Sequence, residues 1–131
     1  MSDLDPYNQV VRQHFVNPAH AGDLPAEYTD TSSAEAGESD FGARVRLMLA
    51  QRDGRILAMR FRAWGCPHLI AAAETVCERF TGETVESLAR FEPQRLMTML
   101  DVPVEKSGRI LLLEDALRLL YRAATGNKVD S

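Results

Sequence analysis

Gly65-Cys66-Pro67-His68 is the stretch of this 131-residue chain best equipped for chemistry. The cysteine stands where a strand-like run should turn into a helix opened by Pro67. Its sulfur would then face a helix N-terminus, whose unpaired N–H groups and positive dipole end favour thiolate over thiol. Such a thiol can accept sulfur, ligate a metal or act as a nucleophile, and its neighbours decide which. His68, two residues on, can reach the same area, although a surface or helix-capping role is the simpler reading for it. A Cys66/His14 or Cys66/His68 pair would suit a thiol hydrolase, yet no oxyanion motif or third orienting residue is evident. His14 falls on the apolar stripe of an expected first helix, where histidines more often pack than react, and His20 sits in a loop with no partner that the sequence names.

The elements that must position Cys66 follow from periodicity. Asp5-Pro6 supplies an N-cap and a first-turn proline, and Tyr7, Val10, Val11, His14 and Phe15 recur on one face of a short helix. Asn17-Pro18 stops it. The stretch from Gly22 to about Asp40 has almost no bulky apolar residue and reads as a long flexible polar loop. From Ala43 to Ala50, Val45, Leu47 and Leu49 alternate with Arg44, Arg46 and Met48 as in a half-buried strand. Arg52-Asp53-Gly54-Arg55 makes a hairpin turn into Ile56–Ala63, with Leu57, Met59 and Phe61 on one face and Arg60 and Arg62 on the other. A helix from Pro67 carries Leu69, Ile70, Ala73, Val76, Cys77 and Phe80 on its apolar stripe and stops at Gly82. Its Glu74 and Glu78 read as a solvated face. Short helical segments follow around Val85–Arg90 and Leu96–Leu100, with Met97 and Met99 as packing residues. A long helix then runs from Ser107 to Ala124, and residues 127–131 form a frayed tail. Strands early and helices late predict an α+β domain, a small antiparallel sheet covered by helices on one face.

Composition sets bounds on the role. With 45% hydrophobic residues, 131 residues build one domain, 1–131, and not two. A formal net charge of -4 argues against nucleic acid as a partner. Arg44, Arg46, Arg60 and Arg62 cluster locally, as a solvated sheet face or a docking surface for an acidic partner. No apolar run spans a bilayer and the first residues lack a secretory signal, so the expected location is the cytoplasm. Cysteines there are free, catalytic or metal-binding more often than paired. If one helix carries both Cys66 and Cys77, they stand roughly 16 Å apart at ~1.5 Å rise per residue, beyond disulfide reach.

His14-Phe15-Val16-Asn17-Pro18 with Gly22, Gly65-Cys66 followed by Ile70-Ala71-Ala72, and Glu114-Asp115-Ala116 in the last helix stand in a fixed register over most of the chain. Together they resemble the IscU/NifU-type iron–sulfur cluster assembly proteins. The resemblance implies a compact sheet flanked by helices, a cysteine desulfurase as sulfur-donating partner, an iron–sulfur chaperone as a second one, and no turnover of its own. Scaffolds of that family hold a nascent cluster with three cysteines, an aspartate two residues after the first and a histidine just before the third. Here only the middle cysteine survives, as Cys66. Phe41 and Ala43 stand at the positions of the first cysteine and the aspartate, and Gly108 and Arg109 at those of the histidine and third cysteine. The chaperone-recognition segment, Leu-Pro-Pro-Val-Lys in the family, is matched in part by Leu100-Asp101-Val102-Pro103-Val104-Glu105-Lys106.

One thiolate cannot hold a cluster alone. The resemblance leaves iron or an iron–sulfur cluster bound transiently, or shared between two subunits that each give Cys66 and a further ligand such as His68 or Asp40. It also suggests that the Arg109 guanidinium, standing where a ligand thiol would be, favours a thiolate or persulfide on Cys66. An ordinary exposed arginine in the first turn of the last helix is an equal alternative. The expected function is iron–sulfur cluster assembly through a degenerate site, with Cys66 accepting or relaying sulfur. A non-catalytic protein that docks on a desulfurase or chaperone is the alternative, and a thiol enzyme the third.

Overall fold

The computed structural model describes residues 18–38, 42–103 and 107–126. Three strands, β1 (Thr31–Glu38), β2 (Ala43–Arg52) and β3 (Arg55–Trp64), form an antiparallel sheet in the order β1-β2-β3. The first helix expected from Asp5 and the frayed tail at 127–131 lie outside the described residues.

The β2–β3 hairpin forms as the sequence predicts. Asp53 and Gly54 both take positive φ, 54° and 81°, which gives the two-residue turn whose twist suits flanking strands. Leu47 pairs with Phe61 and Leu49 with Met59, so their side chains share the inner face, and with Val45 they are at most 2% exposed. Each side chain buried to that degree contributes about 1.5–3 kcal/mol.

The fold departs from the sequence expectation at β1 and at Leu57. The polar stretch from Gly22 to Asp40 is not a loop throughout, because Thr31–Glu38 pairs along its whole length with β2. Ser32, Ala34 and Ala36 stand opposite Leu49, Leu47 and Val45, so the strand alternates with small residues in place of bulky ones. The last helix packs on this strand, and Ala34 and Ala36, partly buried, pack against the core. The second departure concerns Leu57, which is 39% exposed. The β2–β3 register shifts between Ala50 and Gln51, leaving Leu57 as an extra residue between Ile56 and Ala58. This bulge moves Ile56 inward and Leu57 outward. On the outer face Met48 is also buried, although it alternates with the arginines.

Helices α1 (Pro67–Phe80), α2 (Pro93–Met99) and α3 (Ser107–Tyr121) follow, with a 3-10 helix at Val85–Arg90 and a π-helical turn at Arg122–Gly126. Helix α1 packs on β3, α3 packs on β1 and β2, and the two helices touch each other. Cys77, Leu69, Val76, Leu113, Leu117 and Leu120 fill the layer between sheet and helices. Met97 packs against this core, whereas Met99 is exposed. Among the described residues no helix is long and apolar enough to cross a membrane.

The outer edge of β3 is covered locally. The Phe61 N–H donates to the His20 carbonyl at 3.0 Å and the Gly22 N–H to the Phe61 carbonyl at 2.9 Å, so residues 20–22 extend the sheet by one parallel bridge.

Candidate functional site around Cys66

Cys66 stands two residues past the end of β3, at the N-cap of α1. Its φ and ψ of -77° and 138° are extended, Pro67 opens the helix, and its carbonyl accepts from the Leu69 and Ile70 N–H groups at 3.0 and 3.2 Å. Gly65 makes the sharp turn at φ 114°. A Cβ there would fall 2.1 Å from the Gly42 carbonyl oxygen, so only glycine lets Gly42 and the β3–α1 turn touch.

Cys66 is 7% exposed and His68 2%. His68 Nδ1 lies 3.6 Å from the Cys66 sulfur, within hydrogen-bond reach for sulfur. The reading of His68 as a surface or capping residue is therefore replaced: it is a buried neighbour of the thiol. Arg109, in the first turn of α3, is half-buried, and its Nε is buried with no hydrogen-bond partner among the described residues. Its Nη2 lies 3.8 Å from the position of a Cβ on Gly42. Gly42 thus lies beside both Gly65 and the Arg109 guanidinium. The first turns of α1 and α3 carry no acidic residue to offset their positive dipole ends. Asp40, Phe41 and His14 lie outside the described residues.

Cys77 belongs to the core. It is fully buried, and burial, reinforced by the neighbouring Glu74 carboxylate, pushes its thiol well up, so it stays protonated and unreactive. Both cysteines are free thiols. Among the described residues no group of three or more His, Cys, Asp or Glu side chains converges to hold a metal ion.

One polar pair was invisible in the sequence. Glu74 is 2% exposed, not part of a solvated helix face, and its Oε2 lies 2.6 Å from His20 Nδ1. The helical period places Glu74 among polar positions, and no local signal links it to a loop histidine. On the outer sheet face Arg44 stacks over Trp64 at 4.4 Å and donates to Glu35 at 2.7 Å, while Arg62 donates twice to Asp23 and holds that carboxyl below its ordinary range.

The family described as NifU-like N terminal domain matches residues 6–124. The iron-sulfur cluster assembly scaffold protein IscU of Rickettsia prowazekii is 27% identical over 129 residues, covering 95% of this chain and 98% of its own. IscU of Azotobacter vinelandii is 27% identical over 117 residues, covering 88% and 91%. Among solved structures, the N-terminal part of a nitrogen-fixing NifU-like protein from Brucella abortus superposes with a TM-score of 0.69 at 20% identity, over 91% of this chain and 94% of that one. The α+β fold expected from the sequence is that of this neighbour.

Proposed function

This chain belongs to the NifU-like N-terminal domain family, and we propose that it serves iron–sulfur cluster assembly by accepting or relaying sulfur through Cys66. The observation that carries this reading is the contact of 3.6 Å between the Cys66 sulfur and His68 Nδ1, with Arg109 beside Gly42.

The chemistry balances without an external oxidant. His68 Nδ1 takes the thiol proton, and the Cys66 thiolate attacks the outer sulfur of a persulfide carried by a cysteine desulfurase. The donor's S–S bond breaks, its electron pair leaves on the donor cysteine as thiolate, and a new S–S bond forms on Cys66. The Arg109 cation and the two helix N-termini favour the resulting persulfide anion. Iron and the finished cluster are cargo. A single cysteine thiolate with His68 does not complete a cluster site, so iron binding requires further ligands, such as Asp40 or a second subunit. The protein acts as an acceptor and not as a turnover enzyme, and a cytoplasmic setting, where thiols stay reduced, suits that role. Hand-off to an iron–sulfur chaperone rests on the partial match at Leu100–Lys106.

The 7% exposure of Cys66 favours a second reading, in which the chain docks on a desulfurase or chaperone without taking sulfur. Incubation with a desulfurase and cysteine carrying a radioactive sulfur separates the two. Sulfur acceptance predicts label on the wild type that is released by reductant and absent from Cys66→Ser. Equal desulfurase binding by both proteins with label on neither supports docking alone.

A further inference from the structure

A cavity of about 310 Å³ opens between the 3-10 helix Val85–Arg90 and the C-terminal half of α3. Leu88, Phe91, Leu117 and Tyr121 give it an apolar floor, and Arg118 and Arg122 stand one helical turn apart on its rim. That combination of volume, apolar lining and a few polar groups is the usual form of a small-molecule site.

The wall at Tyr121 and Arg122 is built in an uncommon way. Helix α3 passes there into the π-helical turn Arg122–Gly126, a feature that is rare and concentrated at functional sites. The widened turn is held from two directions: Gln51 Nε2 donates to the Ala124 carbonyl at 3.2 Å, and the Thr125 hydroxyl to the Tyr121 carbonyl at 2.7 Å. That wall of the cavity is therefore held in place.

Charge on the rim selects the occupant. Arg118 is engaged by Asp115 at 3.2 Å and Glu114 at 3.8 Å, whereas Arg122 makes no ion pair among the described residues. Glu114 also lines the cavity and works against a polyanion such as phosphate. One free guanidinium beside an apolar floor suits a single carboxylate on an aromatic or aliphatic body. We propose that the cavity between the 3-10 helix and α3 is a binding site for a small apolar monocarboxylate, held by Arg122. The site is separate from the sulfur chemistry, since Arg109 and Arg122 are ~20 Å apart along the helix at 1.5 Å per residue.

Titration of phenylpropanoate into the isotopically labelled full chain, followed by amide resonances, tests this. Saturable shifts are expected at Leu88, Phe91, Tyr121 and Arg122. The neutral phenylpropanamide, and phenylpropanoate with Arg122→Gln, should bind about tenfold more weakly. Ala89→Trp, which fills the cavity mouth, should abolish binding, with sulfur uptake at Cys66 unchanged in both variants. Shifts that do not saturate or that lie elsewhere would overturn the proposal. So would equal affinity for acid and amide, or equal affinity of the wild type and Arg122→Gln.

Discussion

His20 and Glu74, 54 residues apart, are joined twice: the His20 backbone N–H donates to Glu74 Oε1 at 2.7 Å, and His20 Nδ1 lies 2.6 Å from Oε2. With the two backbone bonds to Phe61, this pair fastens the chain segment before β1 to both β3 and α1. The carboxylate is 2% exposed, so removing it strands a backbone donor and an imidazole. Glu74→Ala should cost about 3 kcal/mol and Glu74→Gln, which keeps one acceptor, about 1 kcal/mol, read as urea midpoints at constant m. A midpoint for Glu74→Ala equal to that of the wild type would remove the fastening role.

Burial of Cys77 gives the protein a defined response to alkali. The folded state keeps the thiol protonated above its ordinary value of 9.0, whereas the unfolded chain releases the proton there. The folded state then holds more protons than the unfolded one, so stability falls as pH rises above about 9, by about 1.4 kcal/mol per pH unit from this group. Cys77→Ala should lose that part of the slope in denaturation measured from pH 8 to 10.5, on top of a uniform loss from the missing sulfur. Parallel wild-type and Cys77→Ala profiles would contradict the assignment.

Gly65 and Gly82 both hold positive φ, 114° and 92°, but in different surroundings. An added Cβ at Gly65 meets the Gly42 carbonyl oxygen at 2.1 Å, whereas at Gly82 nothing lies within 4 Å. Gly65→Ala should therefore cost at least about 3 kcal/mol and disturb the Cys66 turn, and Gly82→Ala only about 1 kcal/mol for its backbone. Thermal unfolding of the two variants, side by side, checks the order.

The bulge in β3 makes a similar contrast between two leucines. Leu47 is fully buried and Leu57 is 39% exposed. Leu47→Ala should cost about 3 kcal/mol, while Leu57→Ser should change stability by no more than about 0.5 kcal/mol. A large loss at Leu57 would mean that it packs inward as simple alternation suggests.

The hairpin, α1 and the last helix were legible in the chain because their signals are local: Asp53-Gly54 between alternating runs, Pro67 and Gly82 at the two ends of an apolar stripe, and an uninterrupted period from Ser107. Strand β1 was not, because α3 lies so close that its inward positions are Ser32, Ala34 and Ala36, and period-two alternation of small residues is a faint signal beside a Val or Leu run. Leu57 was misplaced because a bulge inverts the phase without changing the composition. For the site, Cys66 and its helix-capping position could be read directly, whereas the burial of His68 and the pairing of His20 with Glu74 depend on tertiary contacts that no spacing encodes. Arg109 could be tied to Cys66 only through the family resemblance; in the fold its guanidinium lies beside Gly42, whose carbonyl abuts Gly65.

Anaerobic native mass spectrometry of wild type and Cys66→Ser, after incubation with a cysteine desulfurase, cysteine and ferrous iron, tests the central claim most directly. Sulfur acceptance through Cys66 predicts added sulfur on the wild type and none on the variant. An unmodified wild type, or equal sulfur on both proteins, would contradict it.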